Sequence, residues 1–262
     1  MKVVVCIKQV PDTTEVKIDP ETNTLIRQGV PSIVNPFDLI ALEVALQLKE
    51  NQGAEVFVFS MGPPQAVDAL KECLAMGADH IFLVSDRAFG GADTLATSYT
   101  LAAAVKAKVP DFDIILCGKQ AIDGDTAQVG PEMAEHLDIS QVTYVANLEV
   151  NGNKILAERE HDEGYEQVET TTPVMITVVK SIADPRLPTI RGTIKANAAE
   201  VPVITADDLP LDANQLGLKG SPTKVMKIFT PERRTQGELF DEEDVSKSVN
   251  MLMDRLSSAK LL

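Results

Sequence analysis

With 262 residues, 44% of them hydrophobic, the chain is long and apolar enough to bury an α/β core, which excludes a largely disordered protein. Its formal net charge of −15 argues against nucleic acid or an anionic membrane surface as partner, because both call for clustered Lys and Arg. Three cysteines without pair spacing and three scattered histidines give neither a disulfide framework nor a metal-ligand motif, so no metal site is expected.

The N-terminus opens on the strand-like run Lys2–Lys8 without signal-peptide architecture, and no apolar run reaches the ~20 residues of a membrane span. A cytoplasmic protein with no membrane insertion is the expectation. Four continuous apolar runs, Val3–Ile7, Glu55–Ser60, His80–Val84 and Asp113–Cys117, read as strands covered on both faces. The stretch Glu15–Val30, with its Asp19-Pro20-Glu21-Thr22-Asn23 turn, reads as an inserted hairpin. Asn35-Pro36 supplies an N-cap and a first-turn proline for a helix whose apolar face is Phe37, Ile40, Ala41, Val44, Ala45 and Leu48. A second helix spans Pro64–Met76 with Gly77 as C-terminal cap, and Asp93 or Thr94 caps a third running through Lys106.

Strand–helix alternation of this kind predicts a doubly wound, mostly parallel sheet. After residue 140 the pattern changes to Val142–Val150, Lys154–Glu160, Tyr165–Thr171 and Val174–Val179, read as antiparallel strands at one edge. From Ser181 the chain is Pro-rich and irregular until a last helix near Glu242–Ser258, with the apolar face Val245, Val249, Leu252, Leu256. The organisation predicted is an α/β nucleotide-binding domain over residues 1–195 and, over 196–262, an extended C-terminal arm and helix packing on a partner.

In an open parallel sheet, ligands bind outside the carboxyl ends of the strands. The loop Gly118–Gly130 follows the fourth strand and offers Gln120, Asp123, Asp125, Thr126 and Gln128, with glycines for close backbone approach and a helix start suited to phosphate. Its aspartates repel phosphate, so they shape the turn or bind ribose hydroxyls; a plain surface turn is the competing reading. Phe89–Ser98 is a second cradle, in which Gly90 and Gly91 precede hydroxyl residues at a helix start. The competing reading is an ordinary loop with a standard N-cap. Neither loop is a dinucleotide fingerprint or a P-loop, and no nucleophile–base pair stands out, so no catalytic residue is assigned. A redox cofactor would supply its own chemistry.

Several motifs together resemble the beta subunit of electron-transferring flavoproteins. They are Val5–Pro11, Val34–Asp38, Leu74–Asp79, Gly118–Asp125 and Asp184–Ile190 (Asp-Pro-Arg-Leu-Pro-Thr-Ile), in the family's order along essentially the whole chain. The resemblance implies a heterodimer with an alpha subunit that carries its own FAD, and an adenine nucleotide in the beta subunit. Classical members hold AMP there. Members that bifurcate electrons in anaerobic metabolism hold a second FAD, which takes a hydride from NADH. One electron then goes to ferredoxin or flavodoxin, and the other passes through the alpha-subunit FAD to a partner flavoenzyme dehydrogenase. Gly124, the run Thr126–Pro131 and the segment Ser85–Thr94 resemble the bifurcating group, so FAD is the expected cofactor, with NAD(H) as donor and AMP as the alternative.

Carried over position by position, the nucleotide contacts are Cys6, Asn35, Pro36, Phe37, Asp38, Met61 and the span Asp123–Ala134. That span includes Gly124, Asp125, Thr126, Ala127, Gln128 and Val129. Thr94 and Thr97 are added for the diphosphate, and Gln120, Gly91 and Asp93 from the two candidate loops are counted with the cofactor-binding residues. The family's acceptor-docking loop corresponds to Pro185–Ala196, with Pro185, Arg186, Ile190 and Arg191 as docking residues. Ile190 stands where the family has a protruding leucine. That change, and Arg191 after it, leave the partner as an acyl-CoA dehydrogenase or a lactate dehydrogenase type. On this reading the chain is an electron-transfer subunit that oxidises NADH only within its complex. An ATP-using ligase or pyrophosphatase and a stress-type nucleotide sensor are weaker readings.

Overall fold

The computed structural model describes residues 1–12, 17–18, 25–26, 31–226, 237–242 and 244–262. Strands β1 (Lys2–Ile7), β2 (Gln9–Pro11), β3 (Lys17–Ile18), β4 (Leu25–Ile26) and β5 (Ser32–Val34) precede helix α1 (Pro36–Gln52). Then come β6 (Glu55–Met61), α2 (Val67–Met76), β7 (His80–Val84), α3 (Thr94–Lys108), β8 (Ile114–Gly118) and α4 (Val129–Leu137). Strands β9 (Ser140–Asn151), β10 (Lys154–His161), β11 (Gly164–Thr171) and β12 (Val174–Val178) follow, and α5 (Ile190–Ala198), β13 (Val203–Ile204) and α6 (Gly217–Gly220) come next. All of these lie in one unit, Met1–Met226; a second, Lys227–Leu262, carries α7 (Val245–Ser258).

One nine-stranded sheet runs β11-β10-β9-β12-β8-β1-β6-β7-β13. Strands β9, β12, β8, β1, β6, β7 and β13 pair in parallel, while β9–β10 and β10–β11 are antiparallel. Side chains alternate across the sheet, so Val3, Val5 and Ile7 enter the core with α1 and α2, whereas Val4 and Cys6 enter the core with α3 and α4. Both faces are therefore buried, which is why these strands read as unbroken apolar runs rather than alternating ones. Each buried Val, Leu or Ile contributes roughly 1.5–3 kcal/mol.

Several expectations are met in detail. The early hairpin exists as β3 paired antiparallel with β4; its turn lies outside the described residues. Helix α2 ends at Gly77, whose N–H reaches the carbonyls of Cys73 and Leu74. Asp93 caps α3, its side chain accepting from Ala96 N at 3.1 Å.

Others are corrected. Val174–Val179 is not an antiparallel edge strand: β12 inserts between β8 and β9 and is parallel to both. Its run Val-Met-Ile-Thr-Val is fully buried, the same two-faced signature as β1 and β8. The Pro-rich stretch from Ser181 is not irregular throughout, since it holds the nine-residue α5, whose first turn is capped by Thr189 accepting from Gly192 N at 2.9 Å. Residues 196–226, expected to begin a separate arm, belong by their packing to the first unit, and β13 extends the sheet beside β7. Helix α7 is present, with Asp244 as its N-cap. Val245, Val249 and Leu252 are exposed on it.

Candidate nucleotide-binding site

Because β1, β6, β7 and β8 are parallel, the loops that follow them gather at one end of the sheet. The loop after β8 turns back on itself: Gln120 Nε2 donates to Asp125 Oδ1 at 2.7 Å, and the N–H groups of Gly124 and Asp125 bond to the carbonyl of Ala121. Asp125 and Ala127 are held at φ +49° and +53°, a left-handed conformation that costs an ordinary side chain roughly 1–3 kcal/mol and concentrates at ligand sites. Gly124 faces open space. The loop then enters α4, whose N-cap residue Gln128 makes no side-chain cap. The first-turn N–H groups of α4 therefore lack a side-chain acceptor, and such a helix start attracts an anion.

Two glycines let the elements close on each other. A Cβ on Gly118 would lie 2.5 Å from Phe37, at the start of α1; one on Gly130 would lie 2.7 Å from Thr177 Cγ2 on β12. Neither site tolerates a larger residue without movement.

Asn35 and Asp38 sit beneath this loop as its scaffold. Asn35, fully buried, donates from Nδ2 to the Gln120 carbonyl (2.9 Å) and accepts at Oδ1 from Ile122 N (3.1 Å). It occupies the N-cap position of α1 but makes no side-chain cap there, unlike the expectation from Asn35-Pro36. Asp38 joins two strand ends, accepting from Lys8 N at 2.8 Å and Gly118 N at 3.1 Å. Burial pushes the Asp38 carboxyl up to about 7, against those N–H donors, which pull it down. Lys8 Nζ pairs with Asp123 at 2.6 Å across the loop mouth. Phe37, Lys119 and Lys180 line a cavity of about 700 Å³ beside the loop.

The second cradle meets the first. Thr94, the first residue of α3, donates its hydroxyl to Gln128 Oε1 (3.3 Å) and Glu132 Oε1 (3.0 Å), so the N-termini of α3 and α4 adjoin. Glu132 Oε2 is buried without a hydrogen-bond partner. The α3 end, unlike that of α4, already holds a carboxylate. Asp93 accepts from Ala96 N and Thr223 N, while Asp93 N donates to Ser221 Oγ. Burial alone would raise the Asp93 carboxyl, but these N–H donors hold it below the usual range. Thr97 N bonds to the Asp93 carbonyl, and Gly91 takes φ +74° against Leu218. Cys6 lies under the site with Sγ 4.0 Å from Met133 Sδ, and Met61, half-buried at the end of β6, packs on the same core. Asp123, Asp125, Thr126 and Gln128 are exposed on the loop, with Val129 half-buried at the start of α4.

Glu132 entered the sequence reading as part of the Asp123–Ala134 span and at the start of the helical segment after the loop, and Ser221 not at all. Glu132 follows Gln128 by one helical turn, a legible signal; Ser221 lies far along the chain and gave none.

The docking segment divides in two. Ile190 is 85% exposed and Arg191 is exposed beside it. Arg186 turns inward, with Nε 2.8 Å from Glu43 Oε2 and Nη1 bonded to Glu50, both on α1. Pro185 precedes it on the surface. Among the described residues no helix is long and apolar enough to cross a membrane, and no His/Cys/Asp/Glu group has metal-site geometry.

Comparison with known proteins agrees with this architecture. The electron transfer flavoprotein domain family matches residues 22–209. The electron transfer flavoprotein subunit beta of Thermoanaerobacterium thermosaccharolyticum is 53% identical over the full length of both chains. Subunit CarD of the caffeyl-CoA reductase-Etf complex of Acetobacterium woodii is 48% identical, again over both full lengths. The acryloyl-CoA reductase electron transfer subunit gamma of Anaerotignum propionicum is 43% identical over 97% of this chain and 99% of its own. The family match and the full-length identities show that the chain belongs to the electron transfer flavoprotein family, with the beta subunits as its full-length relatives.

Proposed function

We propose that this chain is the nucleotide-carrying beta subunit of a bifurcating electron transfer flavoprotein and holds FAD between the loop Gln120–Val129 and the start of α3. One observation carries the reading: Thr94, Gln128 and Glu132 bring two helix N-termini together at the carboxyl ends of the strands. The uncapped start of α4 suits a phosphate, and the start of α3, with Asp93 as its N-cap, lies beside it. The unpartnered Glu132 Oε2 is an acceptor fit for a ribose or ribityl hydroxyl. Gly124 leaves the loop open to a bulky ligand. FAD, when bound, supplies the hydride and single-electron chemistry; the protein binds and orients it and shields it from water.

In this reading NADH is the electron donor, and ferredoxin or flavodoxin takes one electron. An alpha subunit with its own FAD passes the other to a flavoenzyme dehydrogenase, and the exposed α7 face packs on that subunit. Pro185–Ala196 docks the dehydrogenase. The relatives named for caffeyl-CoA reductase and acryloyl-CoA reductase support a partner of acyl-CoA type.

A second reading, structural AMP, has its own support. Asp93 already fills the α3 start, which leaves α4 as the one uncapped helix end of the pair, enough for a single phosphate. Acid extraction of the purified heterodimer separates the two. Two FAD per heterodimer are expected; one FAD with one AMP would reject bifurcation.

A further inference from the structure

Leu187, Ile190 and Ile194 are 85%, 85% and 67% exposed, an unusual density of bare aliphatics on a nine-residue helix and its approach. Such a surface binds well only when it is held in shape beforehand. Two attachments hold it. At the inner side of α5, Thr189 N reaches the Ala75 carbonyl, and a Cβ on Gly192 would lie 2.1 Å from that same oxygen. At the approach, Arg186 reaches back to α1. Its backbone N–H and Nε donate to Glu43 Oε2 (3.1 and 2.8 Å), Nη2 donates to Glu43 Oε1 (2.9 Å), and the guanidinium extends to Glu50.

Glu43 is 4% exposed, in the middle of α1, where an unpaired carboxylate would be costly. Gln47 Nε2 also donates to its Oε1, so the carboxylate is fully answered. Burial alone would raise Glu43, yet Arg186 holds it below the usual range. The fork geometry matters, because only a guanidinium answers both carboxylate oxygens at once while spanning to a second acid.

We propose that Arg186 is a positioning residue for partner docking: clamped on Glu43 and Glu50, it fixes Leu187 between two anchored points and presents the Leu187–Ile190–Ile194 face ready-shaped to the flavoenzyme partner. Arg186 itself does not touch that partner. The inference rests on the docking reading given above for Pro185–Ala196.

The test compares wild type, Arg186→Met, Arg186→Lys and Ile190→Asp as purified heterodimers. Hydrogen exchange of the amides in residues 187–194 is expected to speed up about tenfold or more in Arg186→Met and less in Arg186→Lys. With an acyl-CoA dehydrogenase that the wild type reduces, the KM for that protein should rise roughly tenfold in Arg186→Met. The kcat should stay within about twofold, and Arg186→Lys should recover part of the KM. Wild-type exchange and wild-type KM in Arg186→Met would overturn the proposal, as would a fall in kcat without a rise in KM. If Arg186→Met does not fold, Arg186→Lys, which keeps the charge opposite Glu43, decides alone: intermediate values support the clamp and wild-type values overturn it. An unchanged KM in Ile190→Asp rejects the docking reading instead, whereas a raised KM there with wild-type behaviour in both Arg186 variants rejects only the clamp.

Discussion

Asp38→Asn isolates a carboxylate that ties the end of β1 to the end of β8. In the native protein its two oxygens serve two donors, Lys8 N and Gly118 N, while burial pushes its carboxyl from 3.8 to about 7. The folded state thus holds this proton more tightly than the unfolded chain. Its stabilising contribution is complete below pH 4 and is lost as pH rises to about 7. Between pH 5.5 and 8.5 the loss amounts to about 2 kcal/mol, at 1.4 kcal/mol for each unit between 5.5 and 7. Asparagine is the neutral isostere and does not titrate. Urea unfolding of both proteins at the two pH values should therefore show wild type losing about 2 kcal/mol relative to Asp38→Asn on going to pH 8.5. A difference that stays constant, or moves the other way, would mean that the two N–H donors keep Asp38 ionised, and the burial argument would fail.

Three further outcomes follow from close packing. Gly118→Ala should cost at least about 3 kcal/mol and lower the thermal midpoint sharply, since the new methyl meets backbone and Cβ of Phe37 at 2.5 Å. Gly130→Ala should cost about 1–3 kcal/mol through its clash with Thr177 Cγ2. Adding Thr177→Ser should restore most of that, because serine removes the methyl yet keeps the oxygen that accepts from Tyr144 N at 3.0 Å; calorimetry on the single and double variants decides it. Cys6, Cys73 and Cys117 are all buried, and burial pushes the Cys73 thiol up. A disulfide reagent at pH 8 should therefore leave the native chain unlabelled and modify all three after unfolding.

The sheet was legible because its strands obey one rule: burial on both faces demands unbroken apolar runs, and Val3–Ile7 and Asp113–Cys117 are such runs. The same rule applied to Val174–Val178 identifies an interior strand. Its neighbours in sequence, β10 and β11, alternate and half-expose themselves, and this drew the run into an antiparallel reading. Helix α5 was hidden by the prolines on its approach, Pro185 and Pro188. These end before Thr189, an N-cap that the Pro-rich context obscured. Arg186 was legible as a docking residue, but its clamp on α1 was not: its partners are 143 and 136 residues away, and no local pattern announces an acid on a distant helix.

The candidate site shows what its polar residues do within the fold itself. Asn35 and Asp38 are carried over from the family resemblance as nucleotide contacts, while Asp93 and Gln120 come from the two candidate loops. In the fold each spends its hydrogen bonds on the protein: Asn35 on residues 120 and 122, Asp38 on 8 and 118, Asp93 on 96 and 223, Gln120 on Asp125. A buried polar group must find a partner, and a loop crowded with backbone N–H groups provides partners first. What then remains for a ligand is what the scaffold leaves unanswered: the first-turn N–H groups of α4, the open face at Gly124, and Glu132 Oε2. The polar residues shape the loop, and the groups they leave unanswered are backbone N–H donors and one carboxylate oxygen.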